Sequence, residues 1–191
     1  MNDGERQLQD HLGTRDRADA FHARQVLDQL NEPMRRFVER QEMMFVATAD
    51  AGGDCDNTFR AGPPGFVRVL DERRLTWPEY RGNGVHASLG NIVENPRVGL
   101  LFVDFHDSIG LHVNGTAEIV DNPDAAPDLV PGRRARLWVV ARVEEAYIHC
   151  AKHIPRMVKV PRQLRHHPDE ARMKKSDYFV TDAAVPACTP I

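Results

Sequence analysis

The first forty residues carry apolar side chains at helical spacing. These side chains recur with a period near 3.6 residues, which is typical of an amphipathic helix. They are Phe21, Val26, Leu27, Leu30, Met34, Phe37 and Val38. Asn31 followed by Glu32 and Pro33 predicts a break and a restart, because Asn is a good N-cap and Pro is tolerated in the first turn. We therefore expect residues 1–42 to form a helical extension whose second helix ends at residues 41–43.

From residue 44 the pattern changes to short apolar or alternating runs, which are typical of strands. Turn residues separate the runs and predict strands at 44–49, 55–60, 66–70, 75–77, 98–105, 109–120 and 137–148. The run 98–105 is nearly all apolar, so we expect its strand to be buried on both faces. In the last strand one face is predicted to carry Leu137, Val139, Ala141 and Val143.

The remaining segments predict loops and short helices. Residues 62–65 (GPPG) lack two backbone donors and cannot form regular structure, and 78–84 is a loop rich in Gly, Pro and Asn. A short helix at 85–94 should end at Asn95-Pro96. We expect a polar connection at 121–134, a last helical turn at 169–175 and a loose tail at 181–191. The class predicted is mainly β with helices (α+β), a closed or half-closed barrel over residues 43–180.

Composition narrows the class of protein. The chain has 191 residues, of which 41% are hydrophobic and 28% charged, which is ordinary for a globular domain that folds without disulfides. Its longest uncharged apolar run, 98–103, is too short for a spanning helix of about twenty residues. No apolar leader segment is evident, and three widely spaced cysteines form neither a disulfide framework nor a CxxC zinc motif. We expect a cytoplasmic protein with reduced thiols and no membrane partner.

The charge is unevenly distributed. The net charge is −3, yet residues 131–165 contain nine Lys/Arg and two Glu. Such a segment can face nucleic acid, an acidic partner surface or a phosphorylated cofactor, or it can be a solvated face. A nucleic-acid surface would need exposed interleaved aromatics, and the segment offers only Trp138 and Tyr147, both in a predicted strand. Nucleic acid is therefore not expected as a partner.

The loop at 77–84 and the helix after it are the best candidate for a ligand site. Glycines allow backbone N–H groups to turn inward, and a helix N-terminus favours an anion. Arg81 can offer a bidentate fork to a phosphate, and Ser88 or Asn91 can donate from the helix. Trp77 and Tyr80 offer flat faces for a planar ring. The alternative is an ordinary strand-to-helix loop with a core tryptophan.

The segment 60–66 is a second candidate. Glycine at 62 and 65 permits the backbone to approach a ligand closely, and the prolines stiffen the loop. Arg60 would then lie at the end of a strand beside that loop. The alternative is a strand crossover with a surface arginine.

The order of five segments resembles the pyridoxamine 5′-phosphate oxidase-like family. The segments are FVATAD (45–50), RAGPPGFV (60–67), SLGNI (88–92), ENPRVGLLF (94–102) and HVNGTA (112–117). The resemblance covers residues 43–120 well and is weaker over 135–160. It implies an FMN-binding split β-barrel that forms a homodimer, with the cofactor at the interface, and an FMN-dependent oxidoreductase acting on a small molecule.

The resemblance also implies which residues bind the cofactor. One chain would contribute Arg60, Trp77, Pro78, Tyr80, Asn83, Ser88 and Asn91, and the partner would contribute Lys152, His153 and His149. Many relatives have a Lys where this chain has Ser88, so Arg81 or Arg60 would have to substitute for it. The C-terminal Arg/His substrate signature of the true oxidase has no equivalent here. The family also includes F420 and haem proteins, so F420, haem and a non-catalytic sensor stay as alternatives.

The stretch 149–153 carries further chemistry. If helical, it would place His149 and His153 on one face, where they could bind a metal with Cys150. No carboxylate completes such a set and Lys152 would repel a cation, so no metal site is expected. His149, His153 and Tyr80 are candidates for proton transfer because they titrate or donate, but no catalytic residue is assigned.

Overall fold

The computed structural model describes residues 2–80, 82–121 and 135–160. Arg81, the predicted turn at 169–175 and the predicted tail at 181–191 lie outside the described residues, as does most of the 121–134 connection. The predicted domain boundaries after residues 42 and 180 stay predictions. Within the described residues, no helix is long and apolar enough to cross a membrane.

The N-terminal region begins with two helices, α1 (Asp3–His11) and α2 (Arg15–Gln25). Gly13, with a φ of 62°, lies between them. The predicted helix through residue 30 is wrong beyond Gln25. Leu27 instead exchanges two backbone hydrogen bonds with Ala146, at 3.0 and 2.7 Å, so the apolar pattern there reflects pairing with a strand.

The third helix, α3 (Glu32–Glu39), begins as the sequence predicts. The Asn31 side chain accepts a hydrogen bond from the Met34 N–H at 3.0 Å, which satisfies one of the N–H groups that a helix start leaves open. Phe37 and Val38 are buried. The helix ends slightly earlier than predicted, because the first strand already begins at Met43.

Seven strands form one antiparallel sheet in the described residues. They are β1 (Met43–Ala49), β2 (Cys55–Ala61), β3 (Arg68–Asp71), β4 (Arg74–Glu79), β5 (Arg97–Asp104), β6 (Ile109–Val120) and β7 (Leu137–His149). The order across the sheet is β2-β1-β5-β6-β7-β4-β3, and α4 (Ala87–Glu94) connects β4 to β5. This arrangement confirms the predicted α+β class. Consecutive strands β2 and β3 lie at opposite ends of the order.

The strand β4 is longer than predicted, because it includes Pro78 and Glu79. Its pairing with β3 ends at Thr76, so at Pro78 only β7 is a neighbour. A proline is compatible with a strand at such a one-sided position. The extension matters because it brings Glu79 to the edge of the candidate site.

The inner face of the sheet packs with α3 and α4 into one core. Its largest fully buried side chains are Trp77, Phe102, Leu30, Met44, Leu75 and Leu100. Val139, Ala141 and Val143 belong to this core and Leu137 packs against it, which confirms the predicted inner face of β7. Along β5 the inner residues are buried, whereas Leu101 on the other face is only half-buried, so burial on both faces is incomplete.

Candidate functional site

A cavity of about 510 Å³ lies between β2, the end of β4 and the start of α4. This volume falls within the range of about 300–1,000 Å³ typical of small-molecule sites. The residues that line it and were predicted as site residues are Arg60, Pro78, Tyr80, Asn83 and Ser88. The chain segments that line it are far apart in sequence, and the sheet brings them together.

Arg60 connects three walls of the cavity. Its Nε donates to Glu79 Oε1 at 2.8 Å, and its Nη2 donates to Ser88 Oγ at 2.9 Å. Its Nη1 donates to Thr58 Oγ1 at 2.7 Å and to the Phe59 carbonyl at 3.3 Å. The guanidinium is therefore held at the first turn of α4, where the sequence analysis required an arginine to replace a helix lysine.

Glu79 is a site residue that the sequence analysis missed. Its Oε1 accepts from Arg60 and also from the Trp77 indole Nε1, at 3.0 Å. Trp77 and Glu79 are two residues apart on one strand and so lie on the same face. That spacing was visible in the sequence, but the partner arginine on a distant strand was not.

The start of α4 lines the cavity. Its N-cap residue, His86, has a left-handed backbone with a φ of 56° and makes no side-chain capping hydrogen bond. Ala87, Ser88 and Leu89 line the cavity, and the first N–H groups of a helix need partners outside the helix. This turn can therefore receive an anion. His86 also lines the cavity, and the sequence analysis did not select it.

The loop before α4 separates two cavities. Asn83 Oδ1 accepts from the Val85 N–H at 3.0 Å, and Gly84 has a φ of 88° that favours glycine. Tyr80 and Asn83 line the first cavity and also a second one, of about 600 Å³, whose wall includes Arg136. Arg81 belongs to this loop but lies outside the described residues, so its predicted phosphate contact stays a prediction.

The charges of the side chains that line the first cavity nearly cancel one another. Among the described residues they are Asp56, Arg60 and Glu79, which sum to one negative charge with histidine neutral. A dianionic phosphate would need further positive charge from elsewhere. The candidate suppliers are those that the sequence analysis named, Arg81 and the partner's basic segment.

Two predicted contacts are corrected by the structure. Trp77 is 1% exposed and belongs to the core, so its indole cannot offer a flat face to a cofactor ring. Asn91 is not among the residues that line the cavity, and its Nδ2 donates to Thr48 Oγ1 on β1 at 3.1 Å. Both side chains support the site from behind.

The structure gives a different reason for glycine at position 62 from the one that the sequence suggested. A Cβ there would lie 2.5 Å from the Cβ of Phe66, and Phe66 is buried. The missing side chain makes room for the protein's own aromatic ring and not for the backbone to approach a ligand. The predicted absence of regular structure at 62–65 is confirmed.

The predicted partner residues lie apart from the cavity in this chain. Lys152 and His153 are exposed in a 3₁₀ turn (Ala151–His153) directly after β7. Their contact with a cofactor held by a second copy stays a prediction. Within the described part of the chain, no three His, Cys, Asp or Glu side chains converge as metal ligands.

His149 lies on the outer face of the sheet and pairs with His112. His112 Nε2 and His149 Nδ1 are 2.8 Å apart, and the ring of Tyr147 stacks on His112 with centroids 4.8 Å apart. Burial and the neighbouring His149 lower the pKa of His112. The proton-transfer role considered for His149 therefore has a second histidine as its immediate partner.

The sequence matches the family model described as pyridoxamine 5′-phosphate oxidase over residues 30–151. The chain belongs to the pyridoxamine 5′-phosphate oxidase-like family. This confirms the resemblance stated from the five segments, and the match includes every predicted site residue except Lys152 and His153. A comparison with curated proteins finds no match.

The chain is also similar to solved structures. A variant of HupZ from Group A Streptococcus is 24% identical with a TM-score of 0.51, over 63% of this chain and 99% of the other. A putative pyridoxamine 5′-phosphate oxidase from Lactobacillus delbrueckii is 22% identical with a TM-score of 0.49, over 63% and 95%. At its identity the likeness to HupZ shows the fold alone, and it agrees with the predicted split-barrel class.

Proposed function

We propose that this family member is a flavin-dependent oxidoreductase that binds FMN in the cavity beside Arg60 and acts on a small molecule. The observation that carries the proposal is the Arg60 guanidinium, held against the first turn of α4 on a wall of a cavity large enough for such a ligand. A cationic fork and the N-terminal N–H groups of a helix together suit a phosphate. When bound, the flavin supplies the redox chemistry.

The described residues fit the phosphate end of FMN. Ser88 Oγ accepts from Arg60, so its own O–H can donate to a second group. The first turn of α4 lines the same cavity, and the first N–H groups of a helix have no partner within the helix. Pro78 and Tyr80 line the cavity beyond this end, where they would border the ring system.

A homodimer is part of the proposal, because the cavity's own charges do not balance a phosphate. Lys152 and His153 of a second copy would add positive charge, as the resemblance implies. The side chains on the outer face of the sheet support the proposal of a dimer interface. A cross-strand row joins neighbouring strands in register and comprises Phe59, Phe45, Leu101, His112 and Tyr147.

This row offers apolar surface to a second copy. Phe59 is 51% exposed, and its ring meets that of Phe45 with centroids 5.5 Å apart. The other members of the row are half-buried, and Phe21 of α2 contacts Tyr147 at one end of it. Contiguous apolar side chains that are partly exposed are typical of an interaction surface. The physiological substrate is left open by the proposal, and F420 or haem in the same cavity is the alternative to FMN.

Removal of the Arg60 charge tests the assignment. Arg60→Gln should raise the dissociation constant for FMN by about tenfold or more, because a charge-assisted hydrogen bond is lost. Titration of FMN fluorescence against the protein measures it. Lys152→Gln should weaken FMN binding in the same direction.

The matched control is Arg17→Gln, since Arg17 is exposed on α2 and does not line this cavity. It should leave FMN affinity unchanged. Equal effects of Arg60→Gln and Arg17→Gln would contradict the site.

A further inference from the structure

An ion pair crosses the opening of the sheet at the candidate site. Arg60 lies on β2, at one end of the strand order, and Glu79 lies on β4, next to the other end. Their Nε···Oε1 distance is 2.8 Å, and the two side chains are only 22% and 11% exposed. A pair this shielded from solvent holds its geometry better than an exposed one.

The Glu79 carboxylate is itself fixed to the core. The oxygen that accepts from Arg60 also accepts from the Trp77 indole N–H at 3.0 Å, and Trp77 is fully buried. Through this chain of contacts, the core determines where the guanidinium lies. The second N–H of Nη2 has no partner among the described residues, and with the Ser88 O–H it is available to a ligand.

We propose that Glu79 is the positioning residue of the anion subsite: its carboxylate holds Arg60 across the opening so that Nη2 faces the first turn of α4. The proposal rests on the proposed function, since the anion is the phosphate of FMN. In this role Glu79 acts on the anion through Arg60.

A purely electrostatic role for Glu79 predicts a different result for a shortened carboxylate. A carboxylate close to an anion opposes its binding, so its removal would strengthen binding and its conservative replacement would change nothing. Two substitutions are compared, and the shortened carboxylate is the one that separates the roles. Glu79→Gln removes the charge and keeps an oxygen acceptor of the same reach, whereas Glu79→Asp keeps the charge and is about 1.5 Å shorter.

The experiment compares FMN with riboflavin, which lacks the phosphate, by fluorescence titration of each variant. Positioning predicts that Glu79→Asp raises the dissociation constant for FMN by about tenfold and leaves that for riboflavin unchanged. Glu79→Gln should bind FMN as tightly as the unmodified protein or more tightly. Glu32→Asp is the control, because Glu32 pairs with Arg35 and Arg36 on the exposed side of α3. It should leave the dissociation constants for FMN and riboflavin unchanged.

Three results would overturn the proposal. Unchanged FMN affinity in Glu79→Asp, while Arg60→Gln weakens binding, excludes positioning and leaves the proposed function intact. An equal loss of FMN and riboflavin binding in Glu79→Asp shows general damage to the cavity and no role at the phosphate. Failure of the unmodified protein to bind either flavin overturns this proposal and the proposed function together.

Discussion

Within the described residues, Arg60 uses four of its five N–H groups on its own protein: one each on Glu79, Thr58, Ser88 and the Phe59 carbonyl. A guanidinium restrained in this way loses little further freedom when an anion binds. Its neighbours therefore determine both the direction of the guanidinium and the number of N–H groups left for a ligand. One N–H remains, beside the Ser88 hydroxyl, which can still donate.

The sequence identified part of this residue-scale picture. Arg60 and Ser88 could be selected because short motifs carried them, and the need for an arginine to replace a helix lysine pointed to their neighbourhood. The link through Glu79 could not be predicted, since it depends on two strands that are not neighbours in the sheet. Burial of Trp77 was an alternative that spacing alone could not decide.

The lowered pKa of His112 should make stability depend on pH. Because the pKa of His112 is lowered in the folded protein, the unfolded chain binds its proton more readily. This stability is fully present above the ordinary histidine pKa of about 6.5 and is lost as the pH falls from there through the lowered pKa of the folded protein. His112→Gln should reduce this loss. Urea unfolding at pH 7.5 and pH 5.5 measures it, and an equal loss in both proteins would contradict the assignment.

At the scale of elements, the junction of β6 and β7 depends on a glycine at the register shift. The register between these strands shifts between Asn114 and Gly115, and a Cβ on Gly115 would lie 1.9 Å from the Arg142 carbonyl oxygen. No side-chain movement relieves a clash with backbone. The register of β7, which pairs with both β4 and β6, therefore requires glycine here.

Gly115→Ala should lower the free energy of unfolding by about 3 kcal/mol or more, as overpacking against a rigid backbone does. Gly90→Ala is the matched control, because Gly90 lies in α4 and a Cβ there meets no atom within 4 Å. It should leave stability unchanged or raise it by about 0.5–1 kcal/mol, since alanine favours helix. Thermal or urea unfolding gives both values. Similar effects of the two substitutions would contradict the packing at the β6–β7 junction.

Elements were predicted from sequence with uneven success for physical reasons. Strands with alternating or continuous apolar residues were placed close to their observed ranges. The helix was predicted to continue through residue 30 because Leu27 and Leu30 fit its apolar period. In the structure, Leu27 instead forms a β-bridge with Ala146, and Leu30 is buried in the core. Pro78 was assigned to a loop because its tolerance in β4 depends on where β3 ends.

For the whole molecule, the proposal requires two copies. The charged side chains that line the described cavity have a net charge of minus one with histidine neutral. The cross-strand row gives the outer face of the sheet an apolar strip. Both observations favour a second copy that buries the strip and contributes basic residues to the cavity. The sequence implied this assembly only through the family resemblance, since no periodicity reveals which sheet face meets a partner.

A lysine in the middle of the row should disrupt the dimer. Leu101→Lys places a charge between Phe45 and His112, and burial of an unpaired charge at an interface is unfavourable. We expect size-exclusion chromatography with light scattering to give a monomer that binds FMN more weakly. Val93→Lys is the control, because Val93 is 75% exposed on α4, and it should stay dimeric. A Leu101→Lys protein that remains dimeric would contradict the interface.

The most direct test of the flavin site is the visible absorption spectrum of the purified protein after incubation with FMN and removal of unbound flavin. We predict a retained flavin spectrum corresponding to one FMN per chain. A protein that retains no FMN under these conditions would contradict the assignment of the Arg60 cavity as a flavin site.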